Sequence, residues 1–364
     1  QAWRPLAALT AIALLAGFAA PVAAAQTPLK IVEVTGQGSE LKVVPPGVKV
    51  TELRSIAPYD LDGMTLPTET EPNDTAATAN ALASNEVVLL GTINPAADVD
   101  WYSFPALAGD RVTAATMTSY SNGGSPDTII NIYASDGTTL LETDDDSGSF
   151  SGTSSVASGT LIPADGTYYV QVDGFSASST ISPYHLHVRV QSGAPIAEVE
   201  PNNDTATATP LSASGWATGN ISAVADPDLF SFALAAGDTA FIALDMDPDR
   251  APANTNWNGR VGIGVLNGFF LLANDGSTTK PHAEAFFMTA KDAGTYYAYI
   301  DSTSATGLGA DARYNLSVRI IPKQVQTDCT IIPSTDVPVT LGPDVGTATS
   351  TIVVPPTITG SITD

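Results

Sequence analysis

Several stretches of the chain alternate apolar and polar side chains with a period of two. Tyr168, Val170 and Val172 alternate with Tyr169, Gln171 and Asp173, and Leu186, Val188 and Val190 alternate with His185, His187 and Arg189. An extended chain points successive side chains to opposite faces, so this period predicts half-buried strands. On this reading His185, His187 and Arg189 are exposed strand residues. Turn signals such as Ser135-Asp136-Gly137 and Ala164-Asp165-Gly166 separate the runs. No stretch sustains a helical period, and the Ala-rich segment 75–84 is the only short-helix candidate.

The pattern occurs twice. Glu69, Glu71, Pro72, Asn73 and Asp74 return as Glu198, Glu200, Pro201, Asn202 and Asn203. Asp98, Asp100, Tyr102 and Phe104 return as Asp226, Asp228, Phe230 and Phe232. Gly166, Tyr168 and Tyr169 return as Gly294, Tyr296 and Tyr297, and Tyr184, Leu186 and Val188 as Tyr314, Leu316 and Val318. The offset stays between 128 and 131 residues throughout, so the repeat is two whole domains with small loop indels and not a stack of short solenoid units. Short strands with regular turns predict an all-β fold: two tandem jelly-roll-like β-sandwich domains, over 67–191 and 194–323.

The flanks read differently. Arg4, an apolar run over 6–20 and Ala23-Ala24-Ala25 predict an export signal peptide over 1–25. The first residue is Gln1, so the beginning of the natural chain is expected to be missing. Residues 26–66 have no clear period and read as a linker or N-terminal extension. The Thr-, Pro- and Val-rich tail 324–364 stops inside a strand-like pattern, which predicts a truncated third β domain. No other stretch is apolar enough for a membrane span.

Composition narrows the function classes. Charged residues are 14% of the 364, with a net charge of −24. Such a field repels nucleic acid and anionic membranes, and it favours divalent cations or basic partners; keeping an extracellular protein soluble would explain it equally well. The single Cys329 excludes an intramolecular disulfide, so an exported module must be made rigid by other means, with bound metal one candidate.

Glu69, Glu71 and Asn73 are spaced i, i+2, i+4, and Pro72 holds Glu71 extended, so the three share a face. Two carboxylates and an amide oxygen form a hard oxygen set suited to calcium. Asp98 and Asp100 form a second acidic pair. Calcium takes six to eight oxygens, so the two clusters together would suffice where one would be sparse. The alternative is a solvated linker and a turn that opens a strand. The acidic run Asp144, Asp145 and Asp146 reads as a solvated hairpin loop, with only Asp144 matched in the second copy, by Asp275.

The ordered motifs Glu-x-Glu-Pro-Asn-Asp, Asp-x-Asp-x-Tyr-x-Phe, Ala-Gly-Asp and Gly-Thr-Tyr-Tyr-Val resemble the bacterial pre-peptidase C-terminal domain, a family similar to the collagen-binding domains of clostridial collagenases. The resemblance covers about 67–191 and 196–322. It implies a jelly-roll sandwich, secretion, attachment to extracellular peptidases and one calcium ion per repeat. Carried over by motif, its ligands are Glu69, Glu71, Asn73, Asp74, Thr92 and Asp100, with Asp98 close by, then Glu198, Glu200, Asn202, Asn203, Asn220 and Asp228, with Asp226 close by. Thr92 and Asn220 stand where the relatives have Ser, and the first Asp is spaced differently. In the relatives an aromatic strand face contacts the ligand, which points to Tyr169, Tyr297 and Tyr299; cross-strand packing is the alternative. The tail around Asp336 and Ile358 is similar to the opening of a proprotein-convertase P domain.

No catalytic motif is visible. The histidines are His185, His187 and His282, without a His-Glu-x-x-His; Gly148-Ser-Phe-Ser-Gly152 carries Phe150 where a nucleophile elbow needs serine. The sequence therefore predicts non-catalytic, calcium-stabilised accessory or binding modules of a secreted bacterial protein, with an extracellular protein or polysaccharide ligand. The alternatives are the N-terminal part of a secreted peptidase and a metal-free surface protein.

Overall fold

The computed structural model describes residues 30–33, 56–58, 61, 64–118, 121, 126–148, 153–250, 257–265, 269–273, 283–302 and 305–324. The signal-like segment, Asp275, His282, Cys329 and the P-domain-like tail lie outside these residues. The described residues contain strands and turns and no helix.

The extension before the first repeat contributes β1 (Lys30–Glu33) and β2 (Ile56–Pro58). The first module follows with β3 (Asn80–Ala81), β4 (Glu86–Ile93), β5 (Val99–Ala106), β6 (Arg111–Met117), β7 (Thr128–Tyr133), β8 (Leu140–Asp144), β9 (Val156–Leu161), β10 (Gly166–Gly174) and β11 (Ile181–Gln191). The second has β12 (Ile196–Ala197), β13 (Thr209–Pro210), β14 (Trp216–Asn220), β15 (Asp228–Leu234), β16 (Thr239–Asp245), β17 (Arg260–Val265), β18 (Phe269–Ala273), β19 (Ala283–Ala290), β20 (Gly294–Asp301) and β21 (Arg313–Ile321).

Each module is two sheets. In the first they run β3-β5-β10-β7-β8 and β4-β11-β6-β9. In the second they run β1-β18-β17-β20-β15-β13 and β12-β14-β21-β16-β19-β2. From β4 to β11 the chain crosses to the other sheet at every connection except the β7–β8 hairpin, and β14 to β21 repeat that path strand for strand. This alternation is the jelly-roll-like topology. The extension sits on the second module: β1 pairs in parallel with β18, and β2 pairs antiparallel with β19. The extension thus lengthens both sheets of that module by one short strand each, covering the edges of β18 and β19.

Segment 75–84 is not helical. A turn closes on Thr75, whose carbonyl accepts from Thr78 N at 3.0 Å, and β3 follows. Asn80 fixes this path, accepting from Thr70 N at 2.6 Å and donating back to Thr70 O at 2.9 Å, which makes extended chain the better state despite the alanines.

The cores follow from the period of two. Tyr102, Phe104, Val112, Ile130, Ile132, Val170, Val172, Tyr184 and Leu186 fill the first sandwich, and Phe230, Ile242, Leu244, Ile263, Tyr296, Tyr314 and Leu316 fill the second. Strands β7 and β10 alternate buried and half-buried positions as expected. Strands β6, β11 and β16 do not, being buried almost throughout. Their outward side chains meet in a further apolar cluster: Val88, Ala115, Met117 and Val156 from module one against Phe241, Ala283, Ala285, Phe287 and Ile321 from module two, closed by Leu61 of the extension. His187 and Arg189, expected in solvent, are therefore buried because the second module covers that face.

A bidentate pair braces the second sandwich. Arg260 on β17 donates to Asp301 at the end of β20 through Nε at 2.7 Å and Nη2 at 2.5 Å, and both residues are buried. Removing one partner of such a pair strands the other charge in the interior. Asp301→Ala is expected to cost about 3–5 kcal/mol, read as a lower urea midpoint with an unchanged slope.

Candidate metal centre

Three distant segments meet at one end of each sandwich. In module one the entering segment bridges to β4: Glu69 N donates to Leu90 O at 3.0 Å and Leu90 N to Pro67 O at 2.9 Å. That pairing places Glu69 beside Thr92, whose backbone N and Oγ1 donate to Glu69 Oε1 at 2.5 and 2.8 Å. The chain then turns at the Glu71–Pro72 bond, and Asn73 O accepts from Trp101 N at 2.9 Å. This anchors Glu71 and the buried Asn73 over the start of β5, where Asp100 is fully buried. Oxygens of Glu69, Glu71 and Asp100 lie within 4.8 Å of one another, and so do those of Glu71, Asp74 and Asp98.

Module two repeats the central triad, with Glu198, Glu200 and Asp228 converging within the same distance. Its periphery differs. Asn203 replaces Asp74 and donates to Asp226 Oδ1 at 3.0 Å, while Asp226 Oδ2 accepts from Ser222 N at 3.1 Å. Asp226 is thus held by its own turn and by Asn203. Asp98 is held in a similar turn, accepting from Asn94 N and Val99 N, each at 3.0 Å, yet stays within reach of Glu71. At Asn220 the backbone N donates to Glu198 Oε1 at 2.9 Å, and the side-chain Nδ2 donates to Gly309 O at 2.5 Å. The longer amide reaches past the site to the neighbouring loop, where Thr92 stays on its glutamate.

Tyrosines, which the sequence reading did not assign to the site, form its floor. Tyr102 OH donates to Glu69 Oε2 at 2.8 Å, Tyr184 OH lies 2.5 Å from Asp100 Oδ2, and the two hydroxyls are 2.7 Å apart. Three short oxygen contacts need three protons, and two phenols carry two. The third has to sit on a carboxyl of the cluster when no cation is bound, and burial favours Asp100 as its place. In module two Tyr314 OH lies 2.5 Å from Asp228 Oδ2 and 3.1 Å from Glu198 Oε2, again one proton short. The recurrence of Tyr184 as Tyr314 was the available sequence signal. Glycine is required beside these phenols: a Cβ at Gly91 would collide with the Tyr184 ring and hydroxyl, and one at Gly219 with Glu198 and Tyr314.

The electrostatics agree. Burial, then the neighbouring Glu69 charge, pushes Asp100 up to about 9. Burial and Glu198 push Asp228 up to about 10. The amide groups point the same way. The Asn73 side-chain oxygen faces only Asp100 Oδ1 and Glu71 Oε2, unless the amide is turned to donate to them at 3.3 and 3.2 Å. In module two both side-chain polar atoms of Asn202, and Asp228 Oδ1, are buried with no hydrogen-bond partner. Oxygens gathered with too few protons and no partners are a donor set that fits a hard cation.

A third acidic group was not foreseen. Asp127, in a separate loop, meets Asp145 and Asp146 within 4.8 Å, so the hairpin loop is less freely solvated than its sequence suggests.

Of the aromatic candidates, Tyr169 is half-buried on the outer face of module one, edge-on to Trp101 at 5.9 Å, and Trp101 stacks on Tyr133 at 4.8 Å. Tyr297 and Tyr299 are not contact residues. They are only 4% and 2% exposed, packed with Leu229, and Tyr299 OH donates to Asp301 Oδ2 at 2.9 Å.

Fold and site together define a tandem all-β protein with one acidic oxygen cluster at the entry of each sandwich. Residues 98–174 match the family model of the bacterial pre-peptidase C-terminal domain, so the first module carries that domain's signature. A probable subtilase-type serine protease of Deinococcus radiodurans is 36% identical over 103 residues, 28% of this chain and 14% of the relative. The matched part is thus a small fraction of that protease. Among solved structures, the pre-peptidase C-terminal domain of a Bacillus anthracis collagenase is 17% identical over 33% of this chain and 100% of that one, with a TM-score of 0.25. A periplasmic inhibitor of g-type lysozyme from Aeromonas hydrophila is 20% identical over 31% and 96%, with a TM-score of 0.24. No helix among the described residues is long and apolar enough to cross a membrane.

A carboxyl whose folded pKa is raised favours the folded state only while it stays protonated. In chelator, that contribution is complete below the ordinary carboxylate pKa near 4 and declines as pH rises toward the folded value. Thermal unfolding in chelator is therefore expected to show stability falling between pH 5 and 8, by up to about 1 kcal/mol per pH unit for each module. Asp100→Asn, which mimics the protonated acid, should remove the share of module one.

Proposed function

We propose that the chain is a pair of non-catalytic accessory modules of a secreted, peptidase-associated protein, each clamped by one calcium ion. The observation that carries the metal claim is the same triad, Glu69–Glu71–Asp100 and Glu198–Glu200–Asp228, built twice around a buried aspartate. Oxygen-only donors and flexible carboxylates favour calcium over zinc or copper. Asn73 and Asn202 would add amide oxygens, and Thr92 and Asp74 would complete the richer site of module one. In each module the ion would tie the entering segment to β5 or β15 and do what a disulfide does in other exported domains.

Peptidase association rests on the family match and the subtilase-type relative. That relative favours a second reading, in which these modules are joined to a catalytic domain in the same polypeptide. The half-exposed rings of Tyr169 and Tyr133, backed by the buried Trp101, suit contact with an extracellular protein or polysaccharide, since rigid rings give contact area at low entropic cost.

Calcium at ten to a hundred times its Kd should stabilise each module by about 1.4–2.7 kcal/mol over chelator, raising Tm by several degrees. The double substitution Asp100→Asn with Asp228→Asn should abolish the shift. An identical Tm in calcium and in chelator for the unsubstituted chain would sink the metal reading.

A further inference from the structure

The surface between the modules is built like a protein interior with a charged border. On one side Arg250, whose backbone adopts a positive φ of 48°, reaches from module two into module one. Its Nη2 donates to Glu142 Oε1 and Oε2 at 3.0 and 2.8 Å and to Ser158 O at 2.8 Å, and its Nη1 donates to Asp245 Oδ1 at 2.7 Å. Gly159, at a φ of +75°, gives Asp245 room, since a Cβ there would collide with its carboxylate. On the other side Arg189 of module one donates to Glu86 Oε1 at 2.8 Å, to Ser317 Oγ at 2.9 Å and to the Ser214 carbonyl. Arg319 of module two shares the same carboxylate, at 3.4 Å from Glu86 Oε2.

His187 lies within this surface, 2% exposed. Its ring stacks on Phe241 of β16 at 4.5 Å and 17°, with the edge of Phe287 of β19 at 6.4 Å. Neither ring nitrogen has a hydrogen-bond partner. The charged groups around it are Arg189 on its own strand, Arg319 on β21 and Glu86 on β4, two cations sharing one anion; the other titratable groups on β11 are the half-buried His185 and Tyr184, whose hydroxyl faces Asp100 inside module one. Its partner across β6 is Ala115, which carries no charge.

We propose that the two modules are docked as one body at neutral pH and that protonation of His187 releases them. A proton on this ring would place a third positive charge in a buried apolar contact, with no acceptor for either N–H. Burial, Arg319 and Arg189 hold the docked imidazole neutral, well below its ordinary pKa. In the undocked form the ring is solvated and takes up a proton near pH 6.5. A depressed histidine favours docking above that pH and opposes it below. With the docked ring staying neutral, the opening equilibrium rises about thirtyfold between pH 7.5 and 5.0. The release would free the two candidate cation sites, and any ligand face near them, to reorient.

The test is a thiol placed in the contact. In a Cys329→Ser background, Val156→Cys puts a thiol on the module-one face and Ala285→Cys, as an independent reporter, on the facing strand; both positions are buried between the modules. The labelling rate is divided by that of the urea-unfolded chain at the same pH, in constant calcium. The expected result is a normalised rate far below one at pH 7.5 that rises about thirtyfold at pH 5.0. In His187→Phe and in His187→Gln the rise should shrink to about threefold or less, which separates the histidine from acid effects at Glu142 or the calcium ligands. Both reporters labelling at the unfolded rate at pH 7.5, no acceleration in acid, or the full acceleration persisting in both histidine variants would each overturn the proposal.

Discussion

A buried carboxylate with too few protons around it is the constraint on which the rest of each module depends. Asp100 and Asp228 open the strands that pair with the central β10 and β20, so they cannot move without disturbing the sandwich. Each faces a glutamate from the entering segment and a phenol from the last strand. Three parts of the chain, separated by thirty and more than eighty residues, thus share one electrostatic problem. It has two solutions. One keeps a proton on the aspartate and leaves the remaining oxygens poorly matched. The other puts a hard cation among them and ionises everything. On the proposed reading the second would match more of these oxygens at once and turn mutual repulsion into a clamp.

Duplication has kept the centre of this arrangement and relaxed its edge. Phe230 stands for Tyr102, Asn203 for Asp74 and Asn220 for Thr92. Each change removes a hydroxyl or a carboxylate from the neighbourhood of the triad. Module two therefore gathers fewer anionic oxygens and repels less when empty. Module one, with Asp74 and Asp98 near Glu71, has more to gain from a cation and more to lose without one. The same fold thus carries two sites of unequal charge.

Much of this was legible in the sequence, because strands and carboxylates announce themselves locally. The alternation through Tyr168, Val170 and Val172 marked the core face, and the recurrence of Glu-x-Glu-Pro-Asn together with Asp-x-Asp marked the members of both triads. What escaped depended on partners distant in sequence. His187 and Val88 sit at positions that an isolated sandwich would expose, and only the second module covers them. Tyr299 follows the outward alternation of β20, yet its hydroxyl is bound by Asp301 within the Arg260 pair. The tyrosines under the triad looked like core residues, as they are, and nothing local showed that their hydroxyls were aimed at carboxylates. In segment 75–84 the alanines favoured a helix, and Asn80 overruled them through hydrogen bonds to Thr70.

The extension, the interface and the clamps act on one another. Strands β1 and β2 precede the first module in the chain but complete the sheets of the second, so the polypeptide passes over the joint before either sandwich is built. Leu61, next to β2, closes the apolar contact between them. The proposed clamp of module two would grip Glu198 and Glu200, a few residues after β11 ends at Gln191, and so would fix the short connection from the other side. Separating the modules would therefore expose apolar surface on β9 and β16, strand the Arg250 and Arg189 networks, and pull against a connection held at both ends. Two copies of an independent domain joined by a loose linker would need none of these devices. Their presence in one chain makes the docked pair, not either sandwich alone, the structural unit, with the orientation between its two acidic clusters set by the contact between the sheets.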